Sequence, residues 1–224
     1  MSTLPLTDYH DSIFNIDGWA GYPYEVSVVM RQLEADAIAG VVSLSGDHHM
    51  HGAGTVRRST TDAQATPVAV DFTVAGISSS PIFEDLFAAA NADHPDFAAL
   101  VYRKTDSGIE PVWNISMLHG VLAAYAYAKT GLDAATLLGP NTANPGLRYV
   151  DTTANGYGLA SFDAGEMRVQ LITINDCRPN FVQAPAIQHV ARFRLPLWNA
   201  GQPPQLEGPT FAGGAPFPFE TPAV

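Results

Sequence analysis

The spacing of apolar residues changes from helical to strand-like early in the chain. A helix is predicted from about Tyr24 to Ala37, because apolar side chains recur there at the spacing of one helix face. Pro23 suits the first turn of this helix, where its missing N–H costs no hydrogen bond. After Gly40, the run Val41–Ser45 is largely apolar and β-branched, which predicts a short strand.

Three further segments show regular patterns. Pro67–Val74 predicts a second strand, and a helix is predicted from Pro81 to about Ala90 with Ser80 as its N-cap. The segment Ser116–Thr130 carries an apolar stripe and ends just before Gly131, which predicts one continuous helix.

The patterns after these elements predict a hairpin and then a tail. Gly156–Asp163 and Met167–Asn175 read as two strands joined by Ala164-Gly165. From Pro179 to Val224 the chain carries nine of its 17 prolines, so we predict no regular structure there. The aromatic residues of this tail favour packing on an apolar surface; they are Phe193, Trp198, Phe211, Phe217 and Phe219.

Composition limits the classes of function. With 224 residues, of which 46% are hydrophobic, the chain can bury a sizeable core. No apolar run approaches the roughly 20 residues of a membrane span, and Met1–Asp11 lacks the segments of a signal peptide. The net charge of −11 and the lack of any Lys/Arg-rich run argue against nucleic-acid binding. Cys177 is the only cysteine, so a thiolate metal cage is excluded.

The candidate chemistry lies directly after the first predicted strand. Gly46-Asp47-His48-His49-Met50-His51 presents one carboxylate and three imidazoles at the carboxyl end of that strand. Carboxylate and imidazole are metal ligands, and open α/β sheets place their sites at such strand ends. Gly46 is expected to take a positive φ for the sharp exit. Asp47 and His49 are the candidate ligands of half a metal site.

Two other interpretations of these histidines stay open. A solvated, His-rich loop would have the same spelling, and three ligands from Asp47, His49 and His51 would suffice for a single zinc ion. His119 lies on a mostly apolar helix, which favours a packed or half-exposed side chain over a ligand. Serine hydrolase chemistry lacks its Gly-x-Ser-x-Gly turn.

Several blocks in order resemble the C-terminal half of the PhoD-like phosphatases, the alkaline phosphatase D and phosphodiesterase enzymes of the calcineurin-like metallophosphoesterase superfamily. The resemblance covers about Asn15 to Ile174 and rests on these blocks: Asp17-Gly18-Trp19-Ala20-Gly21-Tyr22-Pro23, Gly46-Asp47-His48-His49, Pro67-Val68-Ala69-Val70-Asp71-Phe72 with Ser78-Ser79-Ser80-Pro81, and Asn144-Pro145-Gly146-Leu147-Arg148-Tyr149 with Gly156-Tyr157.

The resemblance implies an α/β fold, in which this chain forms the C-terminal part of a four-layer sandwich of two packed β-sheets flanked by helices. Residues 1–178 would belong to that domain and residues 179–224 would form an irregular Pro-rich tail packed on it. It also implies hydrolysis of phosphate mono- or diesters with divalent or ferric ions, such as Ca, Mn, Fe or Zn. Asp47 and His49 would be the catalytic metal ligands, and Asp17, Trp19 and Tyr22 would approach the substrate.

The family's N-terminal motifs are not found here in a credible context. A two-metal centre needs on the order of six protein ligands, more than Asp47 and one or two histidines provide. Either an N-terminal half or partner chain completes the enzyme, or the chain is a non-catalytic binding or pseudo-enzyme subunit. Enzymes of this family are typically exported, so a periplasmic or extracellular location is expected from the resemblance.

Overall fold

The computed structural model describes residues 22–59, 62, 64–90, 95–138, 144–179 and 182–219. The α-helices are α1 (Pro23–Ala35), α2 (Ile82–Ala89), α3 (Pro95–Val101), α4 (Val112–His119) and α5 (Val121–Thr130), with a 3₁₀ turn at Asp133–Leu137. The strands are β1 (Val42–Ser45), β2 (His51–Arg57), β3 (Pro67–Thr73), β4 (Arg103–Thr105), β5 (Gly108–Glu110), β6 (Leu147–Asp151), β7 (Asn155–Phe162), β8 (Glu166–Ile174), β9 (Ile187–Pro196) and β10 (Glu207–Gly213).

Two four-stranded sheets and one small hairpin organise these strands. The first sheet has the order β1-β3-β2-β6, in which β1 is parallel to β3 and β2 is antiparallel to both of its neighbours. The second sheet is antiparallel, in the order β10-β9-β8-β7. Strands β4 and β5 form the hairpin.

The two larger sheets pack face to face around the main core. Ala53, Val70, Phe72 and Tyr149 from the first sheet share one buried cluster with Met167, Val169, Leu171, Ala191, Phe193 and Leu195 from the second. The rings of Phe72 and Phe193 meet edge to face with centroids 5.5 Å apart, a favourable arrangement for aromatic pairs. Successive strand residues point to opposite faces, so the neighbours of these residues face the other side of each sheet.

The helices cover the outer face of the first sheet. Val26 and Met30 of α1 bury against Val56 and Ala69. Helices α2, α3 and α4 enclose a second cluster that includes Val150 from this sheet and Met50 directly before β2. The fold is therefore mixed α/β as predicted, whereas the four-layer arrangement stays a prediction. In the parts of the chain that the structure describes, no helix combines the length and apolar character of a membrane span.

Most local predictions are confirmed. Helix α1, strands β1 and β3, helix α2 and the β7–β8 hairpin lie within a few residues of their predicted bounds. The predicted Ser80 cap is wrong, because Pro81 is the N-cap of α2 and no side chain caps that helix. The predicted helix Ser116–Thr130 is also wrong as one element, since the chain forms α4 and α5. The break is at Gly120, whose φ of 88° and ψ of 172° are outside the helical region.

The prediction of irregular structure after Pro179 is wrong for two strands. Strands β9 and β10 lie in this segment and form half of the second sheet. Tertiary pairing overrides the proline content, because most of the prolines lie outside the paired positions or at strand ends. The prediction that its aromatic residues cover apolar surface is confirmed. Phe193 is in the main core, and Trp198, Phe211 and Phe219 pack against it, while Phe217 packs against the α4–α5 cluster.

Gly156, on β7, has no space for a side chain between the neighbouring strand β8 and His51 of the first sheet. A Cβ at this position would overlap the Ile172 carbonyl oxygen and lie 2.8 Å from His51 Nε2. We expect Gly156→Ala to lower the free energy of unfolding by about 1–3 kcal/mol, because backbone on a central strand cannot yield cheaply. Denaturant unfolding measures this change. Gly165→Ala is the matched control, since its nearest neighbour would be Asp163 Oδ1 at 3.7 Å. Equal stability of the two variants would contradict the described packing.

Candidate metal-binding loop

The loop between β1 and β2 has an unusual backbone. Asp47 has a φ of 67° and His49 a φ of 53°, whereas Gly46 is not among the residues with positive φ. The expectation that Gly46 supplies the left-handed conformation is therefore wrong. Asp and His tolerate this region better than most residues, yet each such position costs on the order of 1–3 kcal/mol. Strain of this kind recurs at ligand-binding sites, where the surrounding structure maintains it.

His49 is held through both its side chain and its backbone. Its Nδ1 lies 2.7 Å from the Ser80 carbonyl oxygen, and its own carbonyl accepts the Ile82 N–H at 2.9 Å. A carbonyl partner requires the ring proton on Nδ1, which leaves the Nε2 lone pair free to accept or to coordinate. These bonds place Ser80 and Ile82, at the start of α2, beside the Asp47–His49 loop.

The side chains of the loop differ in exposure. Asp47 is exposed and His49 is partly buried, whereas His48 is buried. Burial lowers the pKa of the His48 imidazole, and the carboxylates of Asp71 and Asp47 oppose this effect. Asp47 and His49 are thus the loop residues accessible to a ligand. Within the described ranges, no group of three or more His, Cys, Asp or Glu side chains is placed to hold a metal ion.

His51 is a structural residue. It is fully buried at the start of β2, where Nδ1 accepts the Ala75 N–H at 3.0 Å. Its Nε2 lies 3.2 Å from the Ile172 carbonyl oxygen and therefore donates to it. Burial lowers the pKa of this imidazole, in keeping with a neutral ring. Because both nitrogens are occupied, His51 is unavailable as a ligand, which removes the mononuclear zinc interpretation in its three-ligand form.

A buried carboxylate, that of Asp71, bonds to the end of β1, where the loop begins. The Ser45 hydroxyl, at the end of β1, donates to Asp71 Oδ1 at 2.8 Å, and the Thr73 hydroxyl donates to Asp71 Oδ2 at 2.8 Å. Asp71 is fully buried on β3. These bonds join the two parallel strands where the loop begins. In the sequence, this role is indicated only by a single carboxylate inside an otherwise apolar strand.

A second buried carboxylate lies at the end of β6, opposite His51 in the strand register. Asp151 accepts the Thr153 N–H at 3.1 Å and the Thr153 hydroxyl at 2.7 Å. His189 Nε2 lies 3.3 Å from Asp151 Oδ2. The pKa of the Asp151 carboxyl is lowered: burial opposes ionisation, but the bonds from His189 and Thr153 outweigh it. No local pattern in the sequence marks this pair, because Asp151 and His189 are 38 residues apart.

The predicted substrate-binding residues are only partly within the described chain. Asp17 and Trp19 lie outside the described residues. Tyr22 directly precedes α1, is 46% exposed, and accepts the Val26 N–H through its carbonyl. The substrate roles of Asp17, Trp19 and Tyr22 stay predictions.

The sequence model of the PhoD-like phosphatase family matches residues 2–171. The chain belongs to the PhoD-like phosphatases. The match covers three quarters of the chain, including the Asp47–His49 loop, the Asp71 strand and the Asp151 turn. No curated protein sequence matches the chain significantly.

A solved structure entitled "Structure of PhoD" is similar at 12% sequence identity with a TM-score of 0.47. The alignment covers 87% of this chain and 27% of that one. This PhoD-like chain therefore spans about a quarter of the length of the PhoD chain it matches. PhoD-like phosphatases generally use metal ions.

Proposed function

We propose that this chain takes part in metal-dependent hydrolysis of phosphate mono- or diesters. In this proposal Asp47 and His49 are metal ligands of the active site, and the chain supplies one part of that site. Support comes from membership of a phosphatase family and from a strained loop that leaves these two side chains accessible.

The hydrogen bond between His49 Nδ1 and the Ser80 carbonyl carries the assignment of His49. Histidines that bind metals usually donate their other ring N–H to a carbonyl or carboxylate, which fixes the ring and its tautomer. His49 has this arrangement with a distance of 2.7 Å. Since Ile82 N also bonds to the His49 carbonyl at 2.9 Å, the start of α2 fixes both the ring and the backbone of the ligand.

The donor set fits hard or borderline cations. One carboxylate and one imidazole suit Ca, Mn, Fe or Zn ions to different degrees, so the residues do not select one metal. When bound, such ions polarise the phosphoryl group and compensate the charge of an in-line displacement. Asp47 and His49 would hold them, Ser80 would orient His49, and the bonds of Asp71 would keep the end of β1 in place.

The same proposal includes an N-terminal half or partner chain. Two ligands fall short of the roughly six that a two-metal centre requires. In the described sheet β1 is an edge strand, and its Leu44 is 58% exposed, which favours coverage by another segment. The low number of described ligands equally supports the second candidate, a non-catalytic pseudo-enzyme subunit. An exported location rests on family membership alone and stays a prediction.

Activity of the isolated chain tests whether this chain supplies only part of the metal site. We expect the chain alone to be inactive and to associate, because it has too few ligands and an uncovered sheet edge. Hydrolysis of p-nitrophenyl phosphate and bis-p-nitrophenyl phosphate is measured with added Mn²⁺, Ca²⁺, Zn²⁺ or Fe³⁺, and light scattering reports the oligomeric state. An N-terminal half from a PhoD-like enzyme is expected to restore turnover and reduce association.

Two results would contradict parts of this proposal. Robust turnover by a monodisperse monomer would show that the catalytic set is complete within the 224 residues. A complex that forms with the N-terminal half but stays inactive with all four metals would favour the pseudo-enzyme candidate. The His49→Ala variant, combined with the same N-terminal half and assayed with the same metals, is the matched control for metal dependence.

A further inference from the structure

A cavity of about 440 Å³ lies away from the loop residues Asp47 and His49. The β4–β5 hairpin forms one wall through residues 107–110, and the segment after β10 forms another through residues 214–217. The rest of the lining comes from Thr105, Pro111, Thr153, Gln188 and His189. A cavity of this volume accommodates a small organic molecule.

His189 is the most constrained polar group of the cavity. Its side chain is 4% exposed, and its Nε2 lies 3.3 Å from Asp151 Oδ2 and 3.3 Å from the Tyr149 hydroxyl. Asp151 and Tyr149 are themselves fully buried. A buried carboxylate that accepts from Nε2–H fixes the tautomer of a neutral imidazole, which leaves Nδ1 as an acceptor. The His189 side chain lines the cavity.

Hydroxyl and amide groups surround this imidazole. The Thr153 hydroxyl donates to Asp151 Oδ1 at 2.7 Å and keeps its oxygen lone pairs for another donor. Ser107 and Gln188 are exposed and add a hydroxyl and an amide. The ring of Phe217, held against Tyr127 at 5.2 Å, adds an apolar surface. Scattered donors and acceptors beside an aromatic face suit a ligand with many hydroxyls and apolar C–H surfaces.

The charges at the cavity disfavour an anionic ligand. Among the described lining residues there is no lysine or arginine. The carboxylate of Glu110 is already paired, since it accepts from Arg103 Nη1 at 2.9 Å and from the Tyr127 hydroxyl at 3.1 Å. The ionised Asp151 behind His189 repels negative charge. A phosphate group would therefore meet no free cation here.

We propose that this cavity is a binding site for an uncharged polyhydroxylated molecule, such as a sugar or cyclitol, with His189 Nδ1 as its central acceptor. This site is independent of the proposed metal ligands, because none of its polar groups is Asp47 or His49. It gives the chain a ligand-binding role in addition to phosphate ester hydrolysis.

Binding is tested with the full chain in the absence of metal. D-glucose, D-galactose and myo-inositol are titrated at millimolar to tens of millimolar concentrations, with inorganic phosphate as the anionic probe. NMR of ¹⁵N-labelled histidine reports the ring nitrogens of His189 and of His119 as an internal reference. At least one polyol is expected to shift His189 Nδ1 in a saturable manner without shifting His119, and phosphate is expected to leave both unchanged.

Variants of exposed lining residues distinguish contact with a ligand from a purely structural role of the Asp151–His189 pair. Ser107→Ala combined with Gln188→Ala removes two exposed groups of the lining and is expected to weaken polyol binding about tenfold. Gln64→Ala, an exposed glutamine that does not line the cavity, is the matched control and is expected to bind like the parent. His49→Ala is also expected to bind like the parent, so failure of the metal proposal leaves this result unaffected.

Three results would overturn the proposal. The first is the absence of any saturable shift of His189 with all three polyols. The second is a shift produced by phosphate and not by the polyols. The third is unchanged affinity in the Ser107→Ala/Gln188→Ala variant, which would place the binding elsewhere and leave the Asp151–His189 pair as a purely structural contact.

Discussion

His49→Ala is expected to lower metal-dependent phosphoesterase activity by at least about a hundredfold, in the chain combined with the N-terminal half that we propose. Loss of partners that only orient a ligand typically costs 10–100-fold, and loss of the ligand itself should cost more. The substitution also removes the Nδ1 contact with Ser80. Initial rates with p-nitrophenyl phosphate and the bound metal per chain are measured together.

His119→Ala is the matched control for this prediction. His119 is the last residue of α4, and its half-buried imidazole has a pKa lowered by desolvation. Because it contacts neither Asp47 nor His49 through any described hydrogen bond, its removal is expected to leave the rate within a few-fold of the parent. Equal activity of His49→Ala and the parent would refute the site assignment.

Asp151→Ala is expected to lower the free energy of unfolding by about 2–4 kcal/mol at neutral pH. The variant removes the buried carboxylate that bonds to His189 Nε2 and to the Thr153 N–H and hydroxyl. Thr153 is exposed and can bond to water instead, whereas His189 is buried and keeps only the Tyr149 hydroxyl near its Nε2. Each buried donor that loses its partner costs about 1–3 kcal/mol. Denaturant unfolding of the full chain measures the change, and Asp106→Ala on the exposed β4–β5 turn is the control, expected within about 0.5 kcal/mol of the parent.

The pH dependence of this difference follows from the lowered pKa of Asp151. A carboxyl whose folded pKa lies below its unfolded value of about 3.9 contributes stability above that value. The contribution is lost as the pH falls from about 4 through the folded pKa. The gap between the parent and Asp151→Ala should therefore be constant near neutrality and shrink below about pH 4. A gap that widens on acidification would contradict an ionised, bonded Asp151.

Only part of the candidate site is specified by residues that are adjacent in the chain. The metal-ligand pair Asp47 and His49 could be proposed from the sequence, because a strand, a glycine and a carboxylate–imidazole pair are adjacent in the chain. Because His51 lies on the same segment, one interpretation made it a third metal ligand. The structure excludes that role, since the partners of His51 are backbone groups of residues 75 and 172, which no local pattern specifies.

The prediction that Gly46 has the positive φ of the loop is wrong. A glycine is the least costly residue at positive φ, so Gly46 was the reasonable candidate. The observed left-handed residues are Asp47 and His49. The bond from His49 Nδ1 to the Ser80 carbonyl and the bond from the Ile82 N–H to the His49 carbonyl stabilise this conformation. Both depend on how the start of α2 packs beside the loop.

Local patterns in the sequence were enough to predict several elements. Helix α1, strands β1 and β3, and the β7–β8 hairpin follow from periodicity and turn residues, and the blocks of family-specific residues identified a PhoD-like phosphatase. The formation of β9 and β10 in the Pro-rich segment depends on tertiary contacts, because the pairing of β9 with β8 and of β10 with β9 outweighs local propensity. It also decided that Asp151 and His189, 38 residues apart, form one buried pair, since a buried carboxylate finds its donors across the core and not along the chain.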